Sequence, residues 1–447
     1  MVLSFLLGAC STVAEQITLS EHDDLAALSA KDAPAYLKRK TKLFEPEWKG
    51  FADKHKPDKK SKKLSKPKKS TLAAADGTPE TQDSAEPLIM AHYMPWFQTP
   101  EVSGYWGHHW TMATCEPDLV DANGRRDICA HYYPLVGPYD SSDPDLIDYH
   151  ITLMQLSGVD GILIDWYGVI DAFDWGVLRD ATDLIMEKFN DAGMKVGIVY
   201  EDRTIKAALE FGLIRDDIVA GQEVMKYLEE NYFSLENYLH VDGVPLLLNF
   251  GPEHFTEYVQ WRGVFSAMDE EPTYAGLGYI AGISATTFPW IEWPDRHYTL
   301  EDYYAWVEWM DFDLSIGSAY FGFHDYYAEG GWGEGLYELP DPTGTRFADL
   351  LAYNAAQNPD IIQLNTWNDF GEGTMLEPTA EFGYKYLSDL QGFTGAPYGL
   401  EHLELATEYY LLEQNSNEGR KRSASEFRAL LLNGELNKAE SLNRKLR

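Results

Sequence analysis

Residues 143–168 read "DPDLIDYHITLMQLSGVDGILIDWYG". An Asp-Pro pair opens an amphipathic segment, and Gly158 closes it. This is the start and stop punctuation of a helix. The run "GILIDW" (161–166) follows almost at once. It is apolar, too short for a helix of its own, and bounded by glycines, so it predicts a buried strand. A helix that feeds straight into a buried strand is half of a β/α unit.

Working outward, the same unit recurs. Strands are predicted at "LIMAHYM" (88–94), "KVGIVYE" (195–201) and "VPLLLNF" (244–250), with weaker ones at 272–278, 285–291 and 314–320, and a last one at "IIQLNTW" (361–367). A second clear helix, "DWGVLRDATDLIMEKFNDAG", stops at Gly193. Eight strands alternating with helices predict an α/β fold of the (β/α)8 TIM barrel type, over residues 87–400. A doubly wound sheet is the alternative, but no G-x-G-x-x-G follows the first strand. Residues 401–447 turn helical and predict a C-terminal helical extension.

A barrel concentrates chemistry where its strands end. Strand one ends in "HYMPW", with His92, Tyr93 and Trp96. Strand two ends in "DWYG", with Asp165, Trp166 and Tyr167, and strand three in "YEDR", with Glu201, Asp202 and Arg203. Asn249 ends strand four and Trp290 lies at strand six. Tyr320, His324, Asp325 and Tyr326 follow strand seven. Strand eight runs into "LNTWNDFGEGTMLEP" (364–378), with Trp367, Asn368, Asp369 and Glu372. The loop "GYWGHHWTM" adds Trp106 and His109. Aromatic faces beside carboxylates and amides suit sugars, whose C–H faces stack and whose hydroxyls hydrogen-bond. These sixteen strand-end and loop residues other than Arg203, Asp325, Tyr326, Asp369 and Glu372 form the expected substrate-binding set.

Asp369 and Glu372 are the expected catalytic pair. At i and i+3 on a helical turn, two acids lie about 5–6 Å apart and each disfavours ionisation of the other. One then stays protonated, as glycoside cleavage requires. A turn motif with both acids facing solvent is the alternative. Metal is not expected, because the spacing of His108, His109 and His131 fits no zinc pattern. No cofactor is expected either.

These motifs resemble glycoside hydrolase families 71 and 99. "NDFGEG" resembles the N-E-W-H-E-G segment of family 99, the endo-α-mannosidases and endo-α-mannanases. "TWNDFGEG" resembles the W-N-D-Y-G-E segment of family 71, the endo-α-1,3-glucanases. "HYMPW", "DWYG" and "YED" are similar to the family 99 segments Y-Y-P-W, S-W-W-G and I-E-P. The resemblance spans about residues 88–380. It implies Glu372 as the acid that protonates the leaving sugar and Asp369 as the base. Family 99 has a glutamate at the Asp369 position, where it deprotonates the sugar's own 2-hydroxyl. Family 71 has aspartate there and is regarded as inverting. The resemblance therefore implies a hydrolase of α-mannan or α-glucan, and its export is expected from the N-terminal segment described below. A non-catalytic cell-surface glycan-binding lipoprotein is the alternative.

The N-terminus is separate in character. "LSFLLGAC" resembles a bacterial lipoprotein signal over residues 1–10, with Cys10 lipidated and membrane contact only through that anchor. Residues 11–86 read as a disordered linker centred on "KHKPDKKSKKLSKPKKS". The expected location is the bacterial outer membrane or cell surface. Residues 1–86 hold 15 basic and 13 acidic residues, which leaves 21 basic against 59 acidic in the rest. Such a surface repels phosphate backbones and excludes nucleic acid as a partner. Cys115 and Cys129 lie 14 residues apart and fit either a disulfide in an exported chain or two buried thiols.

Overall fold

The computed structural model describes residues 86–292, 299–414 and 424–446. The expected signal and all but the last residue of the linker lie outside the described residues. Eight parallel strands make the barrel: β1 Leu88–Tyr93, β2 Gly161–Trp166, β3 Lys195–Tyr200, β4 Val244–Asn249, β5 Thr273–Gly276, β6 Ser284–Thr287, β7 Ile316–Ala319 and β8 Ile361–Leu364. Their spatial order is β6-β5-β4-β3-β2-β1-β8-β7. Every neighbouring pair in that order is parallel. The fold is a (β/α)8 TIM barrel.

Helices α1 (Pro144–Leu156) and α2 (Trp175–Asp191) follow β1 and β2. The Asp143 side chain accepts the Asp145 N–H at 2.9 Å and so caps α1. Gly158, with φ +74°, ends it. The expected C-terminal helices form at Leu400–Gln414, Ala424–Leu432 and Leu436–Leu446. The last expected residues of strand six leave the sheet at Pro289, which has no N–H to give the ladder.

The barrel closes without a ladder between β6 and β7. Tyr303, fully buried on the helix Leu300–Met310, fills that seam. Its hydroxyl donates to the Thr287 carbonyl at 3.0 Å and accepts the Ile316 N–H at 2.9 Å. Tyr238 does the same between β3 and β4, accepting from Ile198 N–H at 3.2 Å and donating to Leu246 O at 2.9 Å. A buried backbone group left unmet costs about 1–3 kcal/mol, so each hydroxyl stands in for missing rungs.

Strand periodicity sorts side chains into two cores. Met90, Leu163, Val199, Leu248, Ala275, Ile316 and Ile361 pack together inside the barrel. Ile89, Ala91, Ile162, Ile164, Ile198, Leu247, Ala319 and Leu364 pack outward, with Leu146, Ile151, Leu178 and Ile185 of the helices. This parity decides which strand-end residues reach the mouth.

Candidate active site

His92, Asp165 and Glu201 continue the inward series two residues past Met90, Leu163 and Val199. All three are buried. Burial, followed by the neighbouring Glu201 charge, holds the Asp165 carboxyl well above the usual carboxylate range. Burial also pushes Glu201 up, to about 7, although the Arg203 guanidinium is in direct contact with its Oε2 and opposes the rise. Arg203 also donates to the Tyr167 hydroxyl at 3.2 Å and lies 5.5 Å from the centre of that ring. Arg203 is therefore the cation of an otherwise acidic mouth.

Asp369 reaches the same mouth from the other end of the chain, close enough to Asp165 for their charges to interact. The segment after β8 is a folded turn. Asp369 donates its N–H to Thr366 Oγ1 at 2.8 Å, and its Oδ1 accepts the Glu372 N–H at 3.0 Å. Burial, then the Asp325 charge, raises its pKa to about 7 against the pull of the Glu372 and Gly371 amides. This corrects the helical-turn expectation: Asp369 ties down the backbone of Glu372, and its pKa is set by burial and by Asp325. Gly373 closes the turn at φ +65°, where a Cβ would lie 2.5 Å from the His324 carbonyl. That carbonyl's neighbour, the His324 N–H, donates to Glu372 O at 2.9 Å, and Tyr326 N–H donates to Gly371 O at 2.8 Å. The Glu372 carboxyl, also buried, accepts the Tyr327 hydroxyl at Oε1, 3.0 Å away.

Aromatic rings surround these acids. Trp96 and His109 stack at 4.2 Å with planes 9° apart, and Tyr167 lies 6.4 Å from Trp96. Trp332 meets the His109 edge at 5.6 Å and stacks near Tyr327 at 6.0 Å. Burial lowers His109 to about 3, with the His108 and Arg203 charges adding to it, so the ring is neutral. His92 is likewise lowered to about 3 by burial and packs edge-on to Trp290 at 4.7 Å. Tyr320 is buried, and its hydroxyl accepts the Glu292 N–H at 3.2 Å.

Other expected ligand-facing residues are held within the protein. Tyr93 and Trp166 follow the outward parity of Ala91 and Ile164, and both are fully buried. Trp166 stacks on Tyr227 behind the sheet. Asp202 accepts the N–H groups of Glu253, His254 and Phe255 at 2.8–3.1 Å and anchors the loop after β4. Asn249 points outward with Leu247 and is fully buried. Trp367 and Asn368 are fully buried beneath the turn. The physical reason is common to these: adjacent strand residues face opposite sides, so 92/93, 165/166 and 201/202 cannot all line one mouth. Trp106 gives its indole N–H to Asp118 at 2.9 Å and its face to Arg126 at 5.1 Å. His324 stacks on His131 at 3.6 Å, next to the turn. His131 is thus a stacking partner, and among the described residues no group of three or more potential ligands is placed to hold a metal ion. Tyr327 and Trp332 were not singled out by sequence, and Arg203, named at the end of strand three, was given no role. Tyr327 and Trp332 sit in a loop that no periodicity constrains, although the adjacent pair Tyr326–Tyr327 was a visible signal.

Comparison with known proteins bears on this geometry. Residues 85–221 match the model of glycosyl hydrolase family 99. Over 157 residues the chain is 30% identical to a glycoprotein endo-alpha-1,2-mannosidase of Xenopus laevis, covering 30% of this chain and 34% of that one. Over 171 residues it is 26% identical to a glycoprotein endo-alpha-1,2-mannosidase-like protein of Mus musculus, covering 36% of each. The chain thus spans about a third of the length of these curated relatives. The fold agrees with that of the GH99 endo-alpha-mannosidase from Bacteroides thetaiotaomicron, with a TM-score of 0.53 and 18% identity over 70% of this chain and 98% of that one. The family match contains β1–β3 with Asp165, Glu201 and Arg203. The turn with Asp369 and Glu372 lies outside it.

Proposed function

We propose that this chain is a glycoside hydrolase that cleaves α-glycosidic bonds in a mannose-containing polysaccharide or oligosaccharide. One observation supports the reading. Asp165, Glu201 and Asp369, from the ends of β2, β3 and the segment after β8, are buried within range of one another's charges, Asp369 bonds the backbone of buried Glu372, and Arg203 with Tyr167 joins the cluster to the stacked Trp96 and His109. Mannose is favoured over glucose because the similar proteins are named as endo-α-mannosidases.

Glu372 is the general acid that protonates the departing glycosidic oxygen. Asp369 is the base: a conjugate acid near 7 is matched to proton abstraction at neutral pH. Asp369 takes a proton either from the sugar's 2-hydroxyl or from a water, and its short side chain favours the water. Glu201, held by Arg203, and Asp165 bind sugar hydroxyls. The test is a panel of α-mannans and α-glucans with anomer-resolved product analysis. Cleavage of α-mannan with inversion is the expected result. Affinity for the glycans with no turnover on any of them would replace the enzyme by a glycan-binding protein.

The chain is further proposed to be exported and lipid-anchored at Cys10. The bonded pair Cys115–Cys129, with Cα atoms 5.6 Å apart, supports an oxidising compartment. Fatty-acid labelling in cells should mark the wild type and be lost in Cys10→Ser. Labelling that persists in that variant would remove the anchor.

A further inference from the structure

The stretch 364–378 holds a third acid, Glu377, and the mechanism above does not use it. Glu377 is buried under the catalytic turn with no lysine or arginine paired to it among the described residues. Its Oε2 lies 3.0 Å from His150 Nε2 and accepts the Tyr139 hydroxyl at 3.0 Å. Tyr93 Oη lies 2.9 Å from His150 Nδ1. Asn368 Nδ2 donates to Tyr139 Oη at 3.2 Å. One proton arrangement satisfies these contacts together. Asn368 N–H donates to Tyr139, Tyr139 O–H donates to Glu377, and Tyr93 O–H donates to His150 Nδ1, while His150 Nε2 faces the same Glu377 oxygen at 3.0 Å. The donors from Asn368 and Tyr139 run toward one carboxylate, and His150 stands against it.

Asn368 is the end of this chain and the neighbour of Asp369. It also clamps the end of β1: its Oδ1 accepts the Met94 N–H at 2.8 Å, and its Nδ2 donates to the Met94 carbonyl at 3.0 Å. Both amide hydrogens are taken by the protein, Oδ1 accepts from Met94, and the side chain is fully buried. We infer that the Glu377–His150–Tyr139 network is a positioning device that holds the Asp369–Glu372 turn in its reactive geometry through Asn368. The inference rests on the catalytic reading of that turn. Glu377, His150 and Tyr139 touch no substrate and act only through the backbone they fix. Buried side chains tied by hydrogen bonds are held in place, and small displacements of a reacting group are costly in rate.

Two measurements separate this from a simple stability role. Tyr139→Phe removes the donor to Glu377 and the acceptor for Asn368 together. Tyr149→Phe is the matched control. It sits on the same helix as His150 and loses a buried hydroxyl contact of 3.0 Å to Thr407, on the side away from the turn. Both variants should melt earlier than wild type. Only Tyr139→Phe should lower kcat, by about 10–100-fold, with KM within about twofold. Only Tyr139→Phe should speed hydrogen exchange of the Glu372 amide, which is bonded to Asp369. The exchange measurement needs no turnover. If wild type cleaves nothing, the hydrolase reading fails while exchange still tests the network. Equal kcat in the two variants, or unchanged Glu372 exchange in Tyr139→Phe, overturns the positioning role.

Discussion

Glu372→Gln is expected to lower hydrolysis of a cleaved α-mannan by about 10²–10⁴-fold, the usual range for loss of a general acid. Affinity for the uncleaved glycan should stay within about twofold, because glutamine keeps the Oε1 acceptor for the Tyr327 hydroxyl and fills the same buried space. The defect should also depend on the leaving group. A natural sugar leaves as an alkoxide unless it is protonated, whereas a dinitrophenolate leaves unaided. The variant should therefore recover most of its rate on an aryl glycoside with that leaving group. Equal losses on activated and natural substrates would remove Glu372 from the acid role. Unchanged hydrolysis of the polymer would remove it from catalysis.

Asp369→Asn has the second large effect and couples activity to stability. Asparagine still accepts the Glu372 N–H, so the turn survives, but no base remains. Hydrolysis should fall by about 10²–10⁴-fold. In wild type the acid limb of the pH–rate profile should lie near 7, because Asp369 works only when ionised. Glu201 titrates in the same region, so that limb belongs to the acidic cluster as a whole. The stability change has a definite sign. The folded pKa of Asp369 is raised above its unfolded value, so its favourable contribution is complete below about 4 and is lost as pH rises through about 7. The neutral variant does not suffer that loss. Its melting temperature should exceed that of wild type at pH 8, with the gap closing toward pH 4. The difference corresponds to about 1–4 kcal/mol at most. A wild type that gains stability from pH 4 to pH 8 relative to Asp369→Asn would show that Asp369 is ionised in the folded protein throughout. Such residues illustrate how a site stores instability for function.

Much of the molecule was legible before any coordinates. Gly158 and Gly193 ended helices where expected, and the eight apolar runs all became barrel strands. The signals were local: hydrophobic period, caps and breakers act within a few residues. The barrel then followed from alternation, the count of eight strands and the missing phosphate loop, since successive β/α units have few ways to bury both faces of a parallel sheet. The strand ends were legible too, but only half used. A period of two separates His92 from Tyr93, Asp165 from Trp166, and Glu201 from Asp202, and it was present in the sequence.

The tertiary structure decided what no local rule reaches. Asp369, Glu372 and Glu377 are three acids within nine residues, and spacing pairs the first two without telling what surrounds any of them. Contacts with Asp165 and Asp325, with Tyr327, and with His150 and Tyr139 give the three different environments. Each partner comes from a segment far away in the chain, and burial of the assembled mouth, not neighbouring residues, pushes Asp369 toward neutrality. The sequence by itself determined a barrel with acids and aromatic rings at its strand ends. Which acid faces sugar and which lies beneath is a property of desolvation and distance, and these exist only once the strands have closed.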